Sequence, residues 1–250
     1  MIELEGLTKR FGTHAAVDGL TLTVAPGEIF GFLGPNGAGK TTTVKMITGL
    51  LKPTAGTVRV AGFDVASRTL EAKRAMGLVP DEPFVYPKLT GTEYLRFIGE
   101  LYGVALPDMR RRIPELLELF ELTPRGGELV ESYSHGMRQK LVLAGILLHE
   151  PKVLVLDEPM VGLDPKSGRL VKDIFKRLAA RGTTIFMCTH VLEIAEKLCD
   201  RLGIMIEGRL VACGTVAELR ERAQTTGSDL EGIFLSLTGG AEYSALLRYL

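Results

Sequence analysis

Apolar residues recur along this chain with two periods, and the change from one to the other divides it into parts. Ile2 to Leu7 and Leu20 to Val24 alternate apolar and polar residues, the period of a strand with one buried face. The second run closes on Pro26-Gly27, a type II turn signal. Glu28 to Leu33 reads as a strand leading into a glycine-rich loop, and Thr42 to Leu50 beyond it has helical spacing. Lys52 to Gly56 is a turn, and Thr57 to Val60 and Phe63 to Val65 are short strands. The short strands are expected to form an antiparallel layer.

From about Ala66 to Glu150 the period lengthens. Met76 to Val79 reads as one more buried strand, but Thr92 to Tyr102, Pro107 to Leu122 and Met137 to His149 have helical apolar spacing. The four apolar residues Val153 to Leu156 describe a strand buried on both faces, as in a parallel sheet. Thr184 to Cys188 is another strand. Arg201 to Ile206 and Arg209 to Cys213, joined by Glu207-Gly208, read as a hairpin, followed by a helix near Val216 to Arg222. Gln224 to Asp229 is polar and linker-like, and the tail Leu230 to Leu250 mixes apolar and small residues, suited to packing on the domain or to pairing with a partner. The pattern predicts an α/β domain over residues 1–223 with a parallel-sheet core, an antiparallel β subdomain and a helical insert at about 84–150. Residues 224–250 are read as a C-terminal extension.

Composition removes several classes. With 250 residues, 46% of them hydrophobic, the chain is long enough for a sizeable core. Thirty basic residues against thirty acidic give zero formal net charge, so a nucleic-acid partner is not expected. Three cysteines without a C-x-x-C pair suggest neither a disulfide framework nor a zinc site, which fits a reducing cytoplasm. The N-terminus lacks the basic start and apolar core of a secretory signal. The longest apolar run, Leu141 to Leu148, is far short of the roughly 18–20 residues needed to span a bilayer. The chain is not expected to cross a membrane by itself.

The chemistry centres on Gly34-Pro-Asn36-Gly37-Ala-Gly39-Lys40-Thr41-Thr42, which fits the phosphate-binding loop of a P-loop NTPase. Backbone N–H groups must curl around the β- and γ-phosphates, and glycine permits so close a path. Lys40 then reaches the phosphate oxygens and Thr41 ligates Mg²⁺. The helix that follows presents its free N–H groups to the same anion. A bound nucleoside triphosphate is the expected ligand. The buried strand Val153 to Leu156 ends in Asp157-Glu158, at the sheet edge where open α/β folds bind ligands. Asp157 is expected to hold Mg²⁺, and Glu158 to act as general base on the attacking water. Phe11, on a loop before the phosphate-binding strand, could stack on a purine or serve as a core or turn phenylalanine.

In this setting further segments resemble those of the ATP-binding subunits of ABC transporters, over essentially residues 1 to 220. Ser134-His-Gly136-Met-Arg-Gln139 resembles the family's L-S-G-G-Q element, Gly162-Leu-Asp164 its D-loop, and Thr189-His190 its switch histidine, while Phe11 falls where the family stacks adenine. The resemblance implies that His190 hydrogen-bonds the γ-phosphate. It also implies that Ser134, Gly136 and Asp164 serve a nucleotide shared with a second, head-to-tail ATP-binding subunit, an identical one being expected. It implies ATP hydrolysis with Mg²⁺, a separate transmembrane permease, and a cytoplasmic location on the inner face of the membrane.

The sequence departs from the family pattern twice. Asp81 stands where a glutamine is usual; an aspartate can still ligate Mg²⁺, alongside Thr41 and Asp157, but it adds negative charge beside the triphosphate and donates no hydrogen bond. His135 and Met137 replace glycine and glutamine in the L-S-G-G-Q element. Asp81-Glu-Pro, Tyr86, Leu89-Thr-Gly91 and the tail Leu230 to Gly239 together resemble ATPase subunits of bacterial exporters of the second ABC type. Two other readings stay open here: a soluble ABC-type ATPase working on nucleic acid or the ribosome, and a single-site P-loop kinase or GTPase.

Overall fold

Two sheets share out the strands of this protein, whose computed structural model describes residues 1–223 and 230–238. The first is antiparallel. It holds β1 (Ile2–Phe11), β2 (His14–Val24), β4 (Ala55–Val60) and β5 (Phe63–Asp64) in the order β2-β1-β4-β5. Ile2, Leu4 and Leu7 of β1 are buried, as are Leu20, Leu22 and Val24 of β2. The alternation in sequence thus becomes one covered face. Both β1 and β2 run several residues beyond the alternating stretches, through irregular register near Leu7 to Arg10.

Between β2 and β4 the chain crosses to the second sheet as β3 (Ile29–Leu33), which leads through the glycine-rich loop to α1 (Lys40–Ile47). The sequence predicts a helix over Thr42 to Leu50. It starts earlier because Gly39 serves as its N-cap, and stops earlier because Gly49 takes φ 67°. A short helix α2 (Thr69–Arg74), absent from the sequence reading, precedes β6 (Met76–Val79). Then come α3 (Gly91–Leu101), α4 (Leu106–Leu119) and α5 (His135–Leu148), close to the predicted spans. Thr90 opens α3 with a capping box through Glu93.

The chain returns to the second sheet as β7 (Val153–Asp157), then α6 (Pro165–Ala180), β8 (Thr184–Cys188), α7 (Leu192–Leu198), β9 (Arg201–Ile206) and β10 (Arg209–Gly214). Its order is β10-β9-β3-β8-β7-β6. All neighbours pair in parallel except β10, which closes the edge as the predicted hairpin. Every residue of β3, β7 and β8 is buried, which explains their unbroken apolar runs.

Three apolar clusters hold these layers together. Phe30, Phe32 and Phe186 join the antiparallel sheet and α1 to one face of the parallel sheet, their rings 5.2 and 5.9 Å apart. Residues of α3 to α6 pack on the other face around Leu154, Leu156 and Met187. In the third cluster, α8 (Val216–Arg222) and α9 (Leu230–Thr238) cover β9 and α7 through Leu219, Leu230 and Ile233. The first part of the tail therefore packs on the domain. The linker-like Gln224 to Asp229 and the rest of the tail lie outside the described residues.

Candidate nucleotide site

The C-terminal ends of β3, β6, β7 and β8 converge on one cavity of about 530 Å³, lined by Gly34, Asn36, Lys40, Thr41, Asp81, Asp157, Glu158, Thr189 and His190 among others. Its floor is the glycine-rich loop. A Cβ at Gly34 would stand 2.3 Å from the carbonyl oxygen of Met205, and one at Gly39 2.2 Å from that of Ala16; Gly39 also takes φ 105°. No other residue type fits either position. Gly37 (φ 82°) turns the loop, and Thr42 sits in the first turn of α1. That turn has no side-chain cap and no acidic residue, so its N–H groups are left for an anion.

Lys40 folds back over the loop, donating from Nζ to the carbonyls of Gly34 at 2.6 Å and Pro35 at 3.0 Å. Opposite it, Asp157 ends β7 with a buried carboxylate. Burial pushes its pKa up, the charges of Asp81 and Glu158 push it further, and Lys40 with the Thr41 hydroxyl opposes the shift. A buried carboxylate beside two others and a hydroxyl fits a hard divalent cation held by oxygen atoms. Among the described residues no group of three or more His, Cys, Asp or Glu is placed to hold a metal ion by itself.

Glu158 follows in a left-handed conformation, φ 49°. Its carboxylate accepts from the Thr189 hydroxyl at 3.0 Å and from the His190 N–H at 2.9 Å, and lies 2.7 Å from His190 Nδ1. The general base and the switch histidine predicted from sequence thus meet in one cluster. The part of Thr189, which binds both Glu158 and the Val191 N–H, was not foreseen.

Residues 17–161 match the ABC transporter family. The chain belongs to that family, as an ATP-binding subunit. It is 39% identical to the linearmycin resistance ATP-binding protein of Bacillus subtilis over 222 residues, 89% of this chain and 71% of the relative. It is 43% identical to a Nod factor export ATP-binding protein of Burkholderia lata over 220 residues, 88% of this chain and 72% of the relative. Among solved structures, an ATP-binding subunit of an ABC transporter superposes with a TM-score of 0.91 at 32% identity, covering 95% of this chain and 99% of that one. A dimeric ATP-binding cassette in a post-hydrolysis state with ADP and Pi superposes at 0.79 and 25% identity, covering 86% and 99%.

Within this ABC subunit, Gly37, Gly39 and Thr42 belong to the loop and helix start under the cavity without lining it, and four more of the residues singled out from sequence lie elsewhere. Ser134 is the N-cap of α5, accepting from the Met137 N–H at 3.3 Å. Gly136 lies against the backbone of Gly162, whose carbonyl oxygen would be 2.7 Å from an added Cβ. Asp164 caps α6, and its carboxyl is held down to about 2 by the hydroxyl and N–H of Ser167. Phe11 ends β1, exposed, with Lys9 Nζ 5.3 Å from its ring centre. One wall residue, Phe234 of α9, carried no signal in the sequence, because helical spacing in a tail does not say which site it borders.

Proposed function

We propose that this subunit hydrolyses ATP and thereby drives transport, as an exporter, through a separate transmembrane permease. The observation that carries the ATPase reading is the meeting of Lys40, Thr41, Asp157, Glu158 and His190 around one cavity. The loop N–H groups and Lys40 hold the phosphates, aided by Asn36, Gly37, Gly39 and Thr42. Phe11 takes the adenine ring. Thr41, Asp81 and Asp157 would hold Mg²⁺, which when bound neutralises charge on the phosphate oxygens. Glu158 accepts the proton of the attacking water, and His190 contacts the γ-phosphate.

The positions of Ser134, Gly136 and Asp164 outside the cavity favour a two-subunit site. The positive dipole end of a helix favours an anion even where a serine caps it, and this chain's own phosphates are already served by α1. A head-to-tail homodimer gives each α5 start a nucleotide to face, and a similar cassette with ADP and Pi is dimeric. The export direction rests on relatives named for Nod factor export and for linearmycin resistance.

No described helix is long and apolar enough to cross a membrane; the membrane partner, with this subunit on its cytoplasmic side, is inferred from relatives named as ATP-binding proteins of export and resistance systems. The contact surface is the segment Pro83 to Tyr102, where Phe84 is 77% exposed and stands edge-on to Tyr86, itself edge-on to Phe97.

The test is the oligomeric state of Glu158→Gln with and without Mg·ATP, by size exclusion with light scattering. An ATP-dependent dimer that Ser134→Arg abolishes is the expected result. A variant that binds ATP yet stays monomeric, even with membranes holding its permease, counts against the shared site.

A further inference from the structure

The loop after Glu158 is fastened to the first turns of α5. Gln139, with no exposed surface, donates from Nε2 to the carbonyl of Pro159 at 3.3 Å, one residue beyond Glu158. Next to it, Gly136 lies against the Gly162 carbonyl, and an added Cβ at Gly162 would stand 2.3 Å from His135 Nδ1. Lys140 Nζ reaches the Asp164 carboxylate at 3.8 Å. The backbone of residues 159–164 therefore rests on the start of α5.

Glu158 needs such support. A residue with a side chain keeps a φ of 49° only where its surroundings over-determine it. Its N–H donates to the Cys188 carbonyl at 3.0 Å, and its own carbonyl accepts from the Val161 N–H at 3.2 Å. Among the described residues, Gln139 is the side chain that hydrogen-bonds the main chain of residues 159–163.

The rest of the Gln139 amide points to more than packing. Its Oε1 is buried with no hydrogen-bond partner among the described residues, and turning the amide over would set two oxygens against each other. A buried, unpartnered carbonyl is destabilising. Folding alone would favour an apolar side chain of the same length.

We propose that Gln139 is a positioning residue for Glu158: it holds the Pro159 carbonyl, and with it the left-handed backbone of the base, from the helix whose start carries Ser134 and Gly136. A displacement of that helix start reaches Glu158 of the same chain through this bond. The proposal rests on the reading of Glu158 as general base.

Three variants of the full chain test it by steady-state ATPase and thermal unfolding. Gln139→Met keeps length and loses the donor. Its kcat should fall about 10- to 100-fold, the scale of a misplaced catalytic group, with KM for ATP unchanged and the thermal midpoint equal or higher. Gln139→Glu sets an acceptor against the Pro159 carbonyl unless protonated, so its kcat relative to wild type should fall as pH rises. Full kcat in Gln139→Met, or a loss of kcat that tracks a lower midpoint and a raised KM with no pH-dependent ratio in Gln139→Glu, overturns the proposal. Glu158→Gln run in parallel separates the two readings. If it retains kcat, the base assignment fails and the proposal with it; if it is inactive while Gln139→Met is fully active, the proposal fails alone.

Discussion

Glu158 and His190 are joined twice, through the His190 N–H at 2.9 Å and through its ring Nδ1 at 2.7 Å from the same carboxylate oxygen. An ionised carboxylate can only accept, so this contact places the ring proton on Nδ1. His190 thus orients the Glu158 carboxylate, the base in the proposed reaction. In His190→Ala the backbone bond and the Thr189 bond remain but the ring is lost. Its kcat should fall by about 10²-fold or more, the range of a general-base contribution, while ATP affinity changes little. Single-turnover hydrolysis beside equilibrium binding of a fluorescent ATP analogue separates the two effects.

Lys40 makes a different kind of contact. Its ammonium is held by two carbonyls of its own loop, Gly34 and Pro35, so little side-chain freedom remains to be lost when phosphates arrive. Lys40→Met keeps the aliphatic stem and removes the charge. Affinity for ATP should drop by about 10- to 100-fold, the worth of one charge-assisted hydrogen bond at about 1.5–3 kcal/mol. Thermal stability without nucleotide should hardly change.

Asp81 is the departure with the clearest electrostatic consequence. It shares a cavity with Asp157 and Glu158, and its charge is the second cause, after burial, that pushes the Asp157 pKa up. Asp81→Gln removes one of three like charges. The nucleotide-free protein should become more heat-stable at neutral pH, and the Mg²⁺ concentration for half-maximal ATPase should rise several-fold because a neutral amide oxygen replaces a charged carboxylate oxygen. An unchanged ATPase rate with unchanged magnesium dependence would argue that Asp81 does not sense the site.

How much of this was legible in the sequence follows from the range of each interaction. The parallel strands were readable because Val153 to Leu156 is buried on both faces, and burial leaves a direct record in residue type. The phosphate loop was readable because Gly34 and Gly39 face backbone oxygens that exclude any Cβ. The helix α6 was missed although its alternate faces are amphipathic, since Pro165 and Gly168 at its start resemble a turn. Gln139 lies two residues beyond Met137, which stands where the motif has its glutamine, so the resemblance gives it no role. Its partner, the Pro159 carbonyl, is twenty residues away, and a backbone acceptor leaves no trace in residue type. Thr189 meets the Glu158 carboxylate, 31 residues away, only because β7 pairs with β8.

One ionisable group outside the nucleotide site sets a pH limit on the fold. His149 ends α5 with its ring stacked on Tyr102, centroids 3.8 Å apart and planes within 5°. Neither ring nitrogen has a hydrogen-bond partner among the described residues. Burial lowers its pKa to about 4, with the positive charge of Arg112 acting in the same direction. Arg112 cannot turn away, because it donates to the Leu147 carbonyl at 2.8 Å and pairs with Glu150 at 3.0 Å. The unfolded chain takes up the proton near the ordinary histidine value of about 6.5, whereas the folded chain resists it until about 4. The stability from keeping this imidazole neutral is therefore complete above about pH 6.5 and lost progressively as pH falls toward 4. His149→Phe keeps a ring against Tyr102 and cannot be protonated. Thermal midpoints of wild type and variant should diverge over that interval, with the variant the more stable at its acid end and the two profiles parallel above pH 7. Parallel profiles throughout would mean that His149 is protonated in the folded chain as readily as in the unfolded one.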